Sequence, residues 1–193
     1  VIGYSVLWGR WNDKFGDFVE HFTKTQDDFV LVFGIEPQSF LEIKLFLEKN
    51  KQLGQGKCFF NIVENDFILE KHLQNYKYLK SCDVNITKWV HLRKDFVVGE
   101  GFPYWIQNYQ TGIVWDRKKG ISFNEDISVQ WFNNDIAYKM FREYNVMKQD
   151  LPYNLDIQND IIEKRLKIKS SFEADCASLD CLTLHHIYPV ELL

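Results

Sequence analysis

Apolar positions along the chain fall into short continuous runs separated by helical stripes. Val1 to Trp8 is an apolar run closed by Gly9, which predicts a strand. Phe15, Phe18, Val19 and Phe22 then recur at i, i+3, i+4 and i+7, one face of a helix that Asn12 or Asp13 could cap. Phe29-Val30-Leu31-Val32-Phe33 is wholly apolar and mostly β-branched or aromatic, so it predicts a strand buried on both faces. Gly34 ends it. Pro37 suits the first turn of a helix, with Phe40, Ile43 and Leu47 as its stripe and Leu41 and Leu45 beside it. Lys51 to Lys57, with two glycines, predicts a turn, and Cys58 to Val63 a short strand.

The second half continues this pattern. Phe67 to Lys80 predicts a helix, Trp89 to Val98 a single strand, and Gly99 to Pro103 a loop. Ile113-Val114-Trp115 is apolar and leads into a turn over Asp116 to Gly120. Asn133-Asn134-Asp135 opens a helix whose face is Ile136, Ala137, Met140, Phe141 and Tyr144, with Asn134 as the expected cap. Asp156 to Lys169 predicts a charged helix, and Leu182 to Ile187 an apolar segment that carries His185-His186 and is closed by Pro189. Strands alternating with helices predict an α/β class with a mainly parallel sheet flanked by helices. No repeat or linker divides the chain, so residues 1–193 read as one domain. Ligands of such sheets bind outside the carboxyl ends of the strands. The loop Gly34 to Gln38 is therefore the first place expected to carry a site.

Composition narrows the function classes. The chain is 46% hydrophobic and 16% aromatic, which supplies a core and argues against disorder. A net charge of −4, with only the short basic runs Arg117-Lys118-Lys119 and Lys164 to Lys169, argues against nucleic acid as the main partner. No apolar run reaches the ~18 residues of a membrane span. The sequence opens on Val1, so a processed form or a fragment is expected, and any membrane anchor would lie upstream. Cys58, Cys82, Cys176 and Cys181 fit no zinc spacing; bridges and buried thiols both remain open. Asn85-Ile86-Thr87 is a glycosylation sequon, relevant only in a secretory compartment.

Phosphate-cradling glycine motifs, the GxSxG elbow and HExxH are absent. Asp27-Asp28 precede a strand and read as a turn. Glu36 lies at the correct strand end for a site, but a lone carboxylate there is also favoured by the helix dipole. Asp135 reads the same way. His185-His186 are adjacent on an alternating segment, so they point to opposite faces and read as packing plus surface.

The order of elements resembles the fringe-like β1,3-glycosyltransferases (glycosyltransferase family 31, GT-A fold). The resemblance is carried by the Asn12–Thr25 helix, the Phe29–Phe33 strand, the Gly34–Gln38 loop and the helix to Lys49. Tyr109 to Arg117 is similar to that family's glycine-rich segment, Asn133 to Ala137 to its acidic segment, and His185 to Pro189 to its closing strand. It implies a GT-A-like fold, Mn²⁺ and a UDP-sugar as cofactors, Glu36 as a metal and cofactor contact, Gly112 and Trp115 as cofactor contacts, and Asp135 as catalytic base. The DxD position reads Gly34-Ile35-Glu36-Pro37, leaving one carboxylate. Only Gly112 survives of three glycines. With ~30 residues before the Phe29 strand, an incomplete N-terminal half is expected.

Two readings follow. One is a glycosyltransferase-like protein related to hexose transfer onto a protein-linked glycan, with impaired or lost catalysis. It would serve as a chaperone or partner subunit of a glycoprotein or protein, in the Golgi or endoplasmic reticulum lumen. The alternative is a small bacterial binding protein, such as a toxin-neutralising immunity protein, in the cytoplasm.

Overall fold

The structure is a computed structural model that describes residues 1–53, 56–65, 67–115, 127–152, 155–167, 172–175 and 184–186. The strands are β1 (Ile2–Gly9), β2 (Phe29–Ile35), β3 (Cys58–Ile62), β4 (Lys88–Leu92), β5 (Phe96–Val98), β6 (Thr111–Trp115), β7 (Ile127–Asn133), β8 (Glu173–Asp175) and β9 (Leu184–His186). The helices are α1 (Phe15–Thr25), α2 (Phe40–Lys49), α3 (Ile68–Ser81), α4 (Phe102–Ile106), α5 (Asn134–Met147) and α6 (Leu155–Leu166), with a 3-10 turn over Pro37–Ser39. Seven strands form one sheet in the order β3-β2-β1-β4-β7-β6-β8. β3, β2, β1 and β4 are parallel; β7 runs against both of its neighbours; β8 is parallel to β6. β5 and β9 make a separate antiparallel pair. The predicted class, a mainly parallel sheet flanked by helices, is the observed one.

Alternation of side chains sends the interior to two sides of the sheet. Tyr4, Val6 and Trp8 of β1 join Leu31, Phe33 and Ile35 of β2 against Phe15, Phe18 and Phe22 of α1. Trp8 meets Phe15, Phe18 and Phe33 edge-on, at centroid distances of 5.4, 5.3 and 6.0 Å, an arrangement that suits aromatic quadrupoles. On the opposite face, Val30, Val32, Trp89 and Phe132 pack under Leu69, Leu73 and Tyr76 of α3 and Met140, Phe141 and Tyr144 of α5. The α1 stripe predicted from periodicity is buried, as is that of α5 except for the partly buried Ile136, and the helix expected over Phe67 to Lys80 is α3.

Several expectations need correction. The single strand expected over Trp89 to Val98 is two strands, because Arg93-Lys94-Asp95 turns the chain between β4 and β5. The loop expected from Gly99 contains α4. β7 and β8 were not anticipated. Asn133, not Asn134, stands at the α5 cap position, while the Asn134 side chain accepts a hydrogen bond from the Tyr76 hydroxyl at 2.9 Å. Of the α2 stripe, Ile43 is buried and Leu47 packs partly buried against the core, while Phe40 is exposed, as are Leu41 and Leu45 beside it. β1, α1 and β2 make a βαβ unit, and β3 and β4 extend it to four parallel strands. The predicted Asp116–Gly120 turn and Cys176 and Cys181 lie outside the described residues. Cys58 and Cys82 are free thiols, and burial pushes that of Cys58 up to about 12.

A polar cluster is built into the face beneath α3. Asn61 donates to Asn75 (3.3 Å), Asn75 donates to the Ser5 hydroxyl (3.0 Å), and Ser5 lies 2.8 Å from His72 Nδ1. Having accepted from Asn75, the Ser5 hydroxyl has its own hydrogen to give to His72. The His72 ring stacks on His91 at 3.9 Å, and His91 Nε2 accepts from the Trp89 indole at 2.7 Å. Both histidines are buried and neutral: desolvation, then the charge of Lys71, lowers the pKa of His72 to about 3, and desolvation, then His72, holds His91 well below its ordinary value.

Because both folded-state pKa values lie below the unfolded value, this contribution is complete above about pH 6.5 and is lost as pH falls toward the folded values. At pH 5.5 the loss is about 1.4 kcal/mol per histidine. The melting temperature is expected to fall by roughly 5–10 °C between pH 7.5 and 5.5, and His91→Gln should reduce that fall to about half. A flat profile in the wild-type protein would contradict the buried neutral pair.

Gly112 lies against the Trp131 indole, where an added Cβ would come within 2.0 Å of Cζ2. Gly112→Ala is expected to cost about 1–3 kcal/mol through overpacking, measured by urea denaturation. Trp131→Leu in the same chain should recover part of that loss.

Candidate functional site

The sheet order sends the chain from β1 outward through β2 and β3, then back across to β4 on the other side of β1. The carboxyl ends of β1 and β4 therefore flank the switch point of the parallel half, where α/β sheets bind ligands. β1 ends at Gly9, whose φ of +73° is left-handed; a Cβ there would meet only Glu36 Oε1, at 3.9 Å. The backbone at Gly9 is thus open to close approach. The loop that follows is pinned on its inner side. The Trp11 N–H donates to Ser39 Oγ and the Lys14 N–H to Asn12 Oδ1, both at 2.9 Å. The Glu36 N–H donates to the Gly9 carbonyl at 2.9 Å, tying this loop to the end of β2.

The charged side chains here are mostly paired. Arg10 Nε donates to Glu36 Oε2 at 3.0 Å, and Gln38 Nε2 donates to the same oxygen at 2.5 Å. After β4, Arg93 grips Asp95 with two bonds, Nε to Oδ1 at 2.8 Å and Nη2 to Oδ2 at 2.5 Å. The Asp95 side chain is 2% exposed and that of Arg93 23%. Lys94 Nζ donates to the Trp8 carbonyl at 3.4 Å, which places its ammonium over the end of β1.

The residues singled out from sequence do not converge. Glu36 is at this edge. Asp135 is at the other, because α5 begins where the antiparallel β7 ends, and Asn133 pairs with Lys88 at the start of β4. Lys88 and Phe29 both pair with Ile2. Glu36 lies seven positions beyond Phe29, so the two carboxylates are separated by about 23 Å along the strands. A base at Asp135 and a metal at Glu36 cannot share one reaction centre. Asp135 instead borders an open polar cavity of about 700 Å³ with Lys88, Asn133 and Asn134. Lys88 Nζ donates to the Tyr109 carbonyl at 2.7 Å and to Asn133 Oδ1. Burial lowers its pKa, opposed by the charge of Asp135. Gly112 serves indole packing. Trp115 is buried, with its indole N–H on Glu173 Oε1 at 2.8 Å.

Mn²⁺ calls for several hard oxygen ligands on one centre. Glu36 and Asp95, two carboxylates at this edge, each bond an arginine. Among the described residues no three His, Cys, Asp or Glu side chains are grouped to hold an ion. The donor set of the described residues does not fit the metal that the family resemblance implies. Arg10, Arg93, Lys94 and Asp95 went unnoticed in the sequence, although three consecutive charged residues inside an apolar stretch were a visible signal of a turn.

No protein-family model and no curated protein matches this chain. Solved structures do. A 4-diphosphocytidyl-2C-methyl-D-erythritol synthase from Anaerococcus prevotii DSM 20548 superposes with a TM-score of 0.63 at 10% identity, covering 94% of this chain and 93% of that one. A nucleoside-diphosphate-sugar pyrophosphorylase from Vibrio cholerae RC9 gives 0.59 at 13% identity, covering 96% and 95%. A glycosyltransferase involved in glycosylation of the major capsid of PBCV-1 gives 0.48 at 9% identity, covering 100% and 96%. At these identities the likeness concerns the fold: the chain has the GT-A-like α/β architecture of nucleotide-sugar pyrophosphorylase-like proteins.

Proposed function

We propose that this chain is a glycosyltransferase-like protein that binds a nucleotide sugar where β1 and β4 end, and that the metal-dependent hexose transfer of the fringe-like enzymes is impaired or lost in it. The observation that carries this reading is the commitment of the buried Asp95 to Arg93 at the end of β4, with no three His, Cys, Asp or Glu side chains grouped to hold an ion among the described residues. A Lewis acid on the leaving phosphate needs ligands that remain available to it. A general base must lie within hydrogen-bond reach of the acceptor hydroxyl, and Asp135 is at the far edge of the sheet. The fold supports the nucleotide-sugar part. The exposed Phe40, Leu41 and Leu45 of α2 suit contact with a protein partner.

Thermal melting with UDP-glucose, UDP-galactose and UDP-N-acetylglucosamine tests the reading. At least one donor should raise the melting temperature by mass action, without UDP release in a coupled assay containing Mn²⁺. Asp135→Asn should leave the shift unchanged. Donor turnover that disappears in Asp135→Asn would overturn both the loss of catalysis and the separation of the two edges. Absence of any shift would remove the nucleotide-sugar assignment.

A further inference from the structure

We propose that the switch point holds a diphosphate directly on the side-chain cations Lys94 and Arg10, with no divalent metal between protein and phosphate. This rests on the nucleotide-sugar reading and specifies how its site recognises the ligand. A diphosphate must have its negative charge balanced, by a metal held on carboxylates or by lysine and arginine themselves. Asp95 is taken out of the first route by its buried pairing with Arg93, and among the described residues no three His, Cys, Asp or Glu side chains are grouped to hold an ion. Opening Asp95 to a metal would break a two-bond ion pair whose carboxylate is 2% exposed, leaving Arg93 as a part-buried cation without its partner.

The second route is already laid out. The Lys94 ammonium, donating to the Trp8 carbonyl, stands on one side of Gly9, and Arg10 follows Gly9 directly. Gly9 itself carries no Cβ, and where one would stand it would meet only Glu36 Oε1, at 3.9 Å. Arg10 is 79% exposed and its partner Glu36 39% exposed, so their pair is weak and the guanidinium can leave it for a phosphate. Guanidinium binds phosphate oxygens in bidentate fashion, whereas ammonium acts as a point charge. Arg10 thus closes over the ligand, and Lys94 is the fixed charge beneath it.

The test is calorimetric titration of UDP, and separately of inorganic pyrophosphate, in EDTA and then in excess Mn²⁺. Both ligands are expected to bind in EDTA, with Mn²⁺ changing UDP affinity by less than about threefold. Lys94→Gln and Arg10→Gln should each weaken binding roughly tenfold or more, while Lys94→Arg retains most of it. Unchanged melting of the unliganded variants will show that they fold. UDP binding that requires Mn²⁺ would overturn the metal-free seat while leaving the nucleotide reading intact, and wild-type affinity in both glutamine variants would do the same. Pyrophosphate binding that depends on Lys94, with no gain from uridine, would support the seat but remove the nucleotide assignment. Failure of both ligands in either condition would overturn both.

Discussion

The pairing of β1 on both of its edges is the constraint on which the rest of the molecule depends. Ile2 to Val6 pair in parallel with Phe29 to Phe33 on one side and with Lys88 to Leu92 on the other. A strand with two parallel neighbours needs both faces covered, and its sequence meets that need in two ways. Tyr4, Val6 and Trp8 point into the aromatic cluster under α1. Gly3, Ser5 and Leu7 face α3, where Gly3 comes close to the Trp89 ring and Ser5 enters the His72–Asn75 cluster. The same placement brings the end of β1 level with the end of β4, so Trp8, Gly9 and Lys94 come together. The candidate site is a consequence of the strand order, and its residues come from segments far apart in sequence.

What was legible in the sequence was what periodicity encodes. The Phe15-Phe18-Val19-Phe22 stripe, the Phe29 strand and the Ala137-Met140-Phe141-Tyr144 face are consistent at every level, from local pattern to burial. β7 was not legible. Its alternation of Ser128 and Gln130 with Val129 and Trp131 reads as a half-exposed segment, yet both polar residues are buried. Their cost is met by hydrogen bonding of the kind Ser128 makes to the Val114 carbonyl. The helix α2 was legible in part: Ile43 is buried and Leu47 packs against the core, but Phe40 of the same stripe is exposed.

The strand that escaped notice also decides where a candidate residue lies. A helix that follows a parallel strand begins at the carboxyl edge, where α/β sites lie. A helix that follows an antiparallel strand begins at the amino edge. Asp135 opens α5 in either case, and its sequence neighbourhood is the same. Only the direction of β7 decides which edge it occupies, and direction is a property of the sheet rather than of the segment. Glu36 was placed correctly because its strand, β2, belongs to the parallel half.

Arg93-Lys94-Asp95 shows how one short turn can exclude one chemistry and favour another. A carboxylate as deeply buried as Asp95 has to be neutralised. A metal could do so and remain available to phosphate; an arginine does so with its own guanidinium and leaves no coordination position. Once Arg93 closes on Asp95, its backbone N–H bonded to the Ser128 carbonyl at 3.1 Å and its guanidinium over the Phe96 ring at 5.1 Å, the pair becomes a strut joining β4, β5 and β7. The side chain between them, Lys94, then turns back over the end of β1. The turn thereby commits its carboxylate to an arginine and sets an ammonium at the mouth of the sheet, bonded to the Trp8 carbonyl.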